Sequence, residues 1–131
     1  IVAPMTYSAM FWLEKYGIDG FRHDATKHIP ELFWRELTKK VKRYANGGTI
    51  PFQIGETYGS RELINSYINT GMIDSQFDFN MYDAAVAAFA NPNESFENLA
   101  NSIRESMAYY GDHHLMGNIT GNQDRPRFIS Y

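Results

Sequence analysis

The sequence predicts an α/β fold: about four β/α units of a parallel sheet, part of an eight-unit (β/α)8 TIM barrel, with open sheet edges. Three observations predict it. Short apolar runs with strand character alternate with stretches whose apolar residues recur at helical spacing, which specifies parallel strands joined by right-handed crossovers. The strand-like runs begin near residues 18, 50, 76 and 115, an average repeat of roughly 32 residues, against about 31 for an eight-unit barrel of typically about 250 residues. Three acids, Asp24, Glu56 and Asp124, stand just beyond strand ends, on the face where parallel sheets of this class build sites. A small doubly wound sheet is the competing architecture, but no Gly-rich phosphate loop follows any strand to support it. Residues 1–131 are therefore expected to be a fragment of a single TIM-barrel domain.

Each element has its own signal. Thr6 is a candidate cap for a helix running to about Tyr16, with Met10, Leu13 and either Phe11 or Trp12 toward a core and Gly17 as the stop. Residues 17–23 form the first strand. Pro30 suits a first helical position, and Phe33, Trp34, Leu37, Val41 and Tyr44 continue at helical spacing. That helix carries Glu31 at its start and Lys39, Lys40, Lys42 and Arg43 at its end, matching the helix macrodipole. Asn46-Gly47-Gly48 breaks it, and residues 50–54 read as a second strand. Ser60 is a plausible cap for a helix to about Asn69, with Leu63, Ile64, Tyr67 and Ile68 on its apolar face and Gly71 as its end. Residues 76–82 alternate, with Phe77, Phe79 and Met81 on one side, which is a strand pattern. Residues 83–90 are Ala-rich and helical in character. A longer helix follows Asn91-Pro92, marked by Phe96, Leu99, Ile103, Met107 and Tyr110 and stopping near Gly111. Residues 115–119 form a weak fourth strand, interrupted by Gly117.

Composition narrows the function. A chain of 131 residues, 44% hydrophobic and 15% aromatic, suffices for one domain with a core. A net charge of −3 without a basic stripe argues against nucleic acid as a partner. There is no cysteine, which excludes disulfides and thiolate metal sites. No apolar run approaches the roughly 20 residues of a membrane helix. His113-His114 after Asp112 reads as a polar loop, since adjacent side chains diverge in extended backbone and no cysteine completes a metal set. The chain begins Ile-Val-Ala-Pro and reads as a segment of something longer.

The chemistry centres on Gly20-Phe21-Arg22-His23-Asp24-Ala25-Thr26-Lys27-His28, a strand end opening into a strand-to-helix loop. Side chains alternate with period two in an extended segment, so Arg22 and Asp24 point the same way. A guanidinium in hydrogen-bond reach ionises Asp24 and sets its rotamer, as a nucleophile requires. Lys27 and His28 add donors at the same mouth. If the strands bearing Asp24 and Glu56 are neighbours, about 4.8 Å apart, their carboxyl groups lie roughly 5 Å apart, the spacing of glycosidases that retain configuration. Glu56, between Ile54-Gly55 and Thr57-Tyr58, has no cation beside it in sequence and is the better proton carrier. Asp124, with Arg125 and Arg127 close by, suits the binding of sugar hydroxyls or the stabilisation of positive charge on the ring. Tyr58, Asn122 and Gln123, which flank these acids, are the remaining candidate sugar contacts.

Residues 20–28 resemble the Gly-Phe-Arg-x-Asp-x-x-Lys-His segment of the α-amylase family, glycoside hydrolase family 13. Phe52-Gln53-Ile54-Gly55-Glu56 is similar to its acid/base segment, and Gly121-Asn122-Gln123-Asp124 to its Asn-His-Asp segment. The three occur in family order and cover nearly the whole chain, corresponding to the fourth through seventh strands of the family's barrel. The resemblance implies that Asp24 is the nucleophile, Glu56 the general acid/base, Asp124 the transition-state stabiliser and Arg22 the nucleophile's partner, with Lys27 and His28 on the leaving-group side of the cleft. The implied substrate is an α-1,4- or α-1,6-linked glucan, with cyclodextrin and pullulan among the candidates, and the implied setting is extracellular or periplasmic rather than cytoplasmic.

This chain departs from the family at three points. Gln123 stands where the family usually has His, which retains hydrogen bonding but not charge. His23 occupies a usually apolar position. The Asn-containing third-strand segment, which in the family contributes to a calcium site and a sugar contact, is absent. No cofactor is evident in the residues, calcium is associated only with a full-length enzyme, and no metal ligand is assigned here. The expected function is thus that of a retaining α-glucan hydrolase fragment, of the amylase, cyclomaltodextrinase or neopullulanase kind. The alternative is a family-related module that binds carbohydrate or serves assembly without catalysis. The isolated 131 residues are expected to be inactive, with the missing barrel half or a second copy covering the open sheet edges.

Overall fold

A computed structural model describes residues 1–130 of the chain. Helix α1 spans Val2–Tyr16 and ends at Gly17, whose φ of 60° and ψ of 39° place it in the left-handed region; Gly enters that region without a Cβ clash. Strand β1, Gly20–His23, runs into a short 3-10 turn at Thr26–His28, followed by α2, Glu31–Ala45. Strand β2, Phe52–Gly55, leads to α3, Arg61–Ser66, and β3, Ser75–Gln76, leads to α4, Phe79–Ala90, and α5, Phe96–Tyr110. A further 3-10 turn covers Phe128–Ser130. The strands are parallel in the order β1-β2-β3, with Gly20 facing Phe52 and His23 facing Gly55, and Ile54 facing Ser75. β1 therefore forms one edge of the sheet among the described residues, as an open barrel fragment requires.

The helices cover one face of this sheet. Met10 and Leu13 of α1 pack on Leu37 and Val41 of α2, with Ile18, Phe21 and Phe33 around them. Trp34 joins Met72 and Ile73 at the entry to β3. Leu13, Leu37 and Val41 are fully buried, each contributing about 1.5–3 kcal/mol by its removal from water. A separate cluster of Ile64, Ile68 and Tyr110 joins α3 to α5. Arg61 reinforces that contact: its guanidinium donates to Ser106 Oγ at 3.0 Å, to the Ser102 carbonyl at 3.0 Å and to Glu105 at 2.8 Å.

Several local expectations are corrected. Thr6 does not cap α1; it lies inside the helix, its hydroxyl donating to the Val2 and Ala3 carbonyls at 3.0 and 2.9 Å. Phe11 and Trp12 are 46% and 51% exposed instead of entering the core, because Met10 and Leu13 already fill the stripe facing α2. Pro30 is the cap of α2 and not its first residue. α3 stops at Ser66, short of Asn69, where an isolated bridge between Ile68 and Ile73 takes over.

The largest correction concerns residues 76–82. The strand ends at Gln76, and Asp78 caps α4, its carboxylate accepting from the Met81 N–H at 3.0 Å. Phe79 and Tyr82 are buried three residues apart, on one helical face. The alternating aromatics are thus consistent with both periods, and the cap selects the helix. The fourth strand at 115–119 reduces to a single parallel bridge between Phe77 and Gly117, held by Gly117 N–H to the Gln76 carbonyl and Asp78 N–H to the Gly117 carbonyl, both 3.0 Å.

Candidate active site

The β1–β2 register places His23 opposite Gly55, so Asp24 and Glu56 leave adjacent strands side by side. One guanidinium joins them. Arg22 Nη1 lies 2.5 Å from Asp24 Oδ1, and Nη2 lies 3.1 Å from Glu56 Oε2. The hydrogen bond from Arg22, followed by one with Glu56, holds the Asp24 carboxyl below the usual carboxylate range. The same bond to Asp24 is the main influence raising Arg22 further above its ordinary value. The Asp24 side chain is 75% exposed, whereas that of Glu56 is 16% exposed. Glu56 has no cation beside it in sequence; the fold supplies Arg22 from the neighbouring strand.

The backbone beneath these acids is tightly specified. Ala25 adopts φ 47° and ψ 44°, a left-handed conformation uncommon for a residue with a Cβ, and its N–H points at Glu56 Oε2 at 3.4 Å. The fully buried Thr26 donates its N–H to the Glu56 carbonyl at 2.8 Å, and its hydroxyl accepts from the Glu56 N–H at 3.1 Å. Trp34 of α2 then donates its indole N–H to the Thr26 carbonyl at 3.2 Å. A Cβ on Gly55 would come within 2.6 Å of both Thr26 Oγ1 and Ile73 Cδ1, so only Gly lets the loop approach the β2 tip this closely.

Beside Glu56 opens a cleft of about 400 Å3, lined by Ala25, Lys27, His28, Glu56, Tyr58, Phe79, Asn122, Asp124 and Arg125. It gathers six of the nine residues singled out from the sequence. Arg22 and Asp24 join it through Glu56, and Gln123 is exposed and is not among the lining residues. Lys27 donates to the Tyr58 carbonyl at 2.7 Å, tying the loop after β1 to the loop after β2. Asn122 Oδ1 accepts the Asp124 N–H at 2.9 Å, a local turn that orients the acid. Tyr58 packs edge-on to Phe79 at 5.4 Å and donates to Asp83 at 3.3 Å. Arg125 lies over the Tyr58 ring at 4.6 Å, and hydrogen bonding to Tyr58 raises it above its ordinary value.

The placements of Ala25, Thr26, Phe79 and Arg125 were not legible in the sequence. The β-branched, hydroxyl-bearing Thr26 inside the motif was the available hint; the rest depend on long-range contacts. In the loop of the histidine pair, His113 Nδ1 lies 3.3 Å from Asp112 Oδ1, and these two side chains are each over 80% exposed. Among the described residues no group of three or more His, Cys, Asp or Glu side chains is placed to hold a metal ion.

Acids on the C-terminal tips of parallel strands, above crossover helices on one face, define an open piece of a barrel of the kind that carries its chemistry at the strand ends. The chain belongs to the α-amylase family: the family model for the α-amylase catalytic domain matches residues 1–131. It is 34% identical over 115 residues to the α-amylase of Streptomyces lividans, covering 86% of this chain and 12% of that protein. It is 25% identical over 124 residues to a cyclomaltodextrinase of Geobacillus thermopakistaniensis, covering 93% of this chain and 20% of that protein. The solved α-amylase of Anoxybacillus superimposes with a TM-score of 0.87 at 32% identity, over 98% of this chain and 28% of that one. The chain thus spans 12% to 20% of the length of these two curated relatives, and its sheet is part of a TIM barrel.

Proposed function

We propose that this chain is the acid-bearing segment of an α-glucan hydrolase that retains anomeric configuration, and that residues 1–131 belong to a single catalytic barrel domain. The observation that carries the reading is the bridge from Arg22 to both Asp24 and Glu56, which aims two carboxyl groups from adjacent strands at one place. In the proposed cycle Asp24 attacks the anomeric carbon as the glycosidic C–O bond breaks, and Glu56 gives its proton to the departing oxygen. Glu56 then takes a proton from water as that water attacks the same carbon, releasing Asp24 as the carboxylate. Asp124 faces positive charge building on the ring, while Lys27, His28, Tyr58 and Asn122 bind hydroxyls along the cleft. Gln123, exposed here, contributes a neutral contact once substrate and the rest of the barrel are in place.

The substrate class follows the relatives, α-amylases and cyclomaltodextrinases: an α-linked glucan, linear or cyclic. The missing part of the barrel covers the free edge of β1 and supplies the other cleft wall.

The test is Glu56→Gln in the full-length chain. Turnover of maltooligosaccharides is expected to vanish while their binding, followed by calorimetry, stays nearly intact; unchanged turnover refutes the assignment. A full-length wild-type chain that binds these sugars without cleaving them identifies the non-catalytic module instead. The isolated segment, assayed beside it on a blocked maltooligosaccharide, is expected to be inactive, because half-built clefts lose the preorganisation that catalysis depends on.

A further inference from the structure

Behind the strand tips runs a buried polar chain that the proposed chemistry does not use. Gln53 of β2 is 1% exposed and Thr38 of α2 is 4% exposed. The Thr38 hydroxyl donates to the Met72 carbonyl, which uses its one hydrogen. It must therefore accept from Gln53, whose Nε2 stands 2.9 Å away. That fixes the amide orientation and turns Gln53 Oε1 toward His23 Nε2, at 2.9 Å. His23 must then carry its proton on Nε2. The imidazole is also held by rings, against Trp34 at 4.7 Å and Phe21 at 5.6 Å. Every donor in the chain points the same way, from β1 through β2 to α2 and the entry to β3.

We propose that the His23–Gln53–Thr38 chain positions Asp24, fixing the strand tip from behind while Arg22 fixes the carboxylate from the front. His23 and Asp24 share a peptide unit, and the carbonyl of that unit accepts the Glu56 N–H at 2.9 Å. Anchoring the His23 side chain thus sets the backbone from which both acids project. The arrangement matters because Asp24 is largely exposed and has few contacts of its own with which to define its place. Supporting residues of this kind act on geometry at the reacting centre without touching it.

The proposal rests on the nucleophile assignment for Asp24, and its test separates the two. In the full-length chain, Thr38→Val removes the hydroxyl at nearly constant shape, far from any sugar. It is expected to lower kcat roughly tenfold or more with KM nearly unchanged, and Thr38→Ser, which keeps the hydroxyl, is expected to restore kcat. A Thr38→Val protein of reduced Tm but unchanged kcat overturns the positioning role. Asp24→Asn serves as the control: if it abolishes turnover, that outcome bears on positioning alone; if it retains turnover, both readings fall. Should Thr38→Val not fold, ring 15N shifts of histidine-labelled wild-type protein still decide the matter, because an Nδ1–H tautomer at His23 breaks the donor chain and refutes the proposal.

Discussion

Arg22 is the residue on which the site turns, because its planar fork satisfies Asp24 with one nitrogen and Glu56 with the other. Lysine carries the same charge on a single nitrogen and cannot give each carboxylate its own arm of a planar fork. In Arg22→Lys the Asp24 carboxyl is expected to return toward the ordinary carboxylate range. The protonated, non-nucleophilic form then persists to higher pH, so the acid limb of the kcat/KM profile of the full-length chain should move upward; a profile that stays in place argues against the bridge. His23 makes a second pH-dependent statement. Burial lowers its pKa, with the Gln53 hydrogen bond and the Asp74 charge opposing that effect. His23 therefore takes up its proton near pH 6.5 in the unfolded chain and only at lower pH in the folded one, so stability is lost as pH falls from that value through the folded-state pKa. Tm measured between pH 7.5 and about 5 should decline, and His23→Leu should flatten that part of the decline. A wild-type Tm that rises toward pH 5 contradicts the sign.

At the scale of elements, capping decides where patterning is ambiguous. The Phe77, Phe79 and Met81 alternation suits a strand, yet the chain turns helical at Phe79 because Asp78 satisfies the Met81 N–H. Asp78 is 2% exposed, so its loss also leaves buried space unfilled. Asp78→Ala is expected to destabilise the protein by about 1 kcal/mol or somewhat more, read from the midpoint of urea unfolding, and an unchanged midpoint means the cap is redundant. Gly55 is the corresponding constraint at the β2 tip. Gly55→Ala drives a Cβ into Thr26 Oγ1 and Ile73 Cδ1, and overpacking of this kind costs about 1–3 kcal/mol. Because Thr26 also holds Glu56, the same change should reduce kcat, whereas an overpacked site remote from the acids would alter stability alone.

At the scale of the molecule, two of the uncovered surfaces among the described residues lie near the start of the chain. β1 presents a free parallel edge, and α1 displays Phe11, Trp12 and Tyr16, Trp12 stacked on Tyr16 at 5.4 Å and Phe11 edge-on to both at 5.5 and 6.2 Å, all three exposed. Unpaired edges and contiguous aromatic surface drive association. The isolated 131 residues are therefore expected to self-associate in sedimentation velocity at micromolar concentration, and the full-length chain to remain free of that association at this surface. A monodisperse monomer of the isolated segment refutes the expectation.

Much of this is legible in the amino-acid sequence. The alternation of periods and the regular strand spacing specify a parallel β/α sheet because they reflect local backbone geometry, in which residues i+2 or i+3 and i+4 share a face. The motif around Asp24 and the Glu56 and Asp124 segments are likewise local and so legible, and six of the nine residues they supply line one cleft. The sequence alone did not show that Arg22 serves Glu56 as well as Asp24, that Thr26 ties the two strand tips, or that His23 is anchored through Gln53 to Thr38. Those contacts join residues 15 to 34 positions apart. They exist only once strand register and helix packing have been chosen, and that choice is made by burial of the whole core, a sum over many side chains that no short stretch encodes.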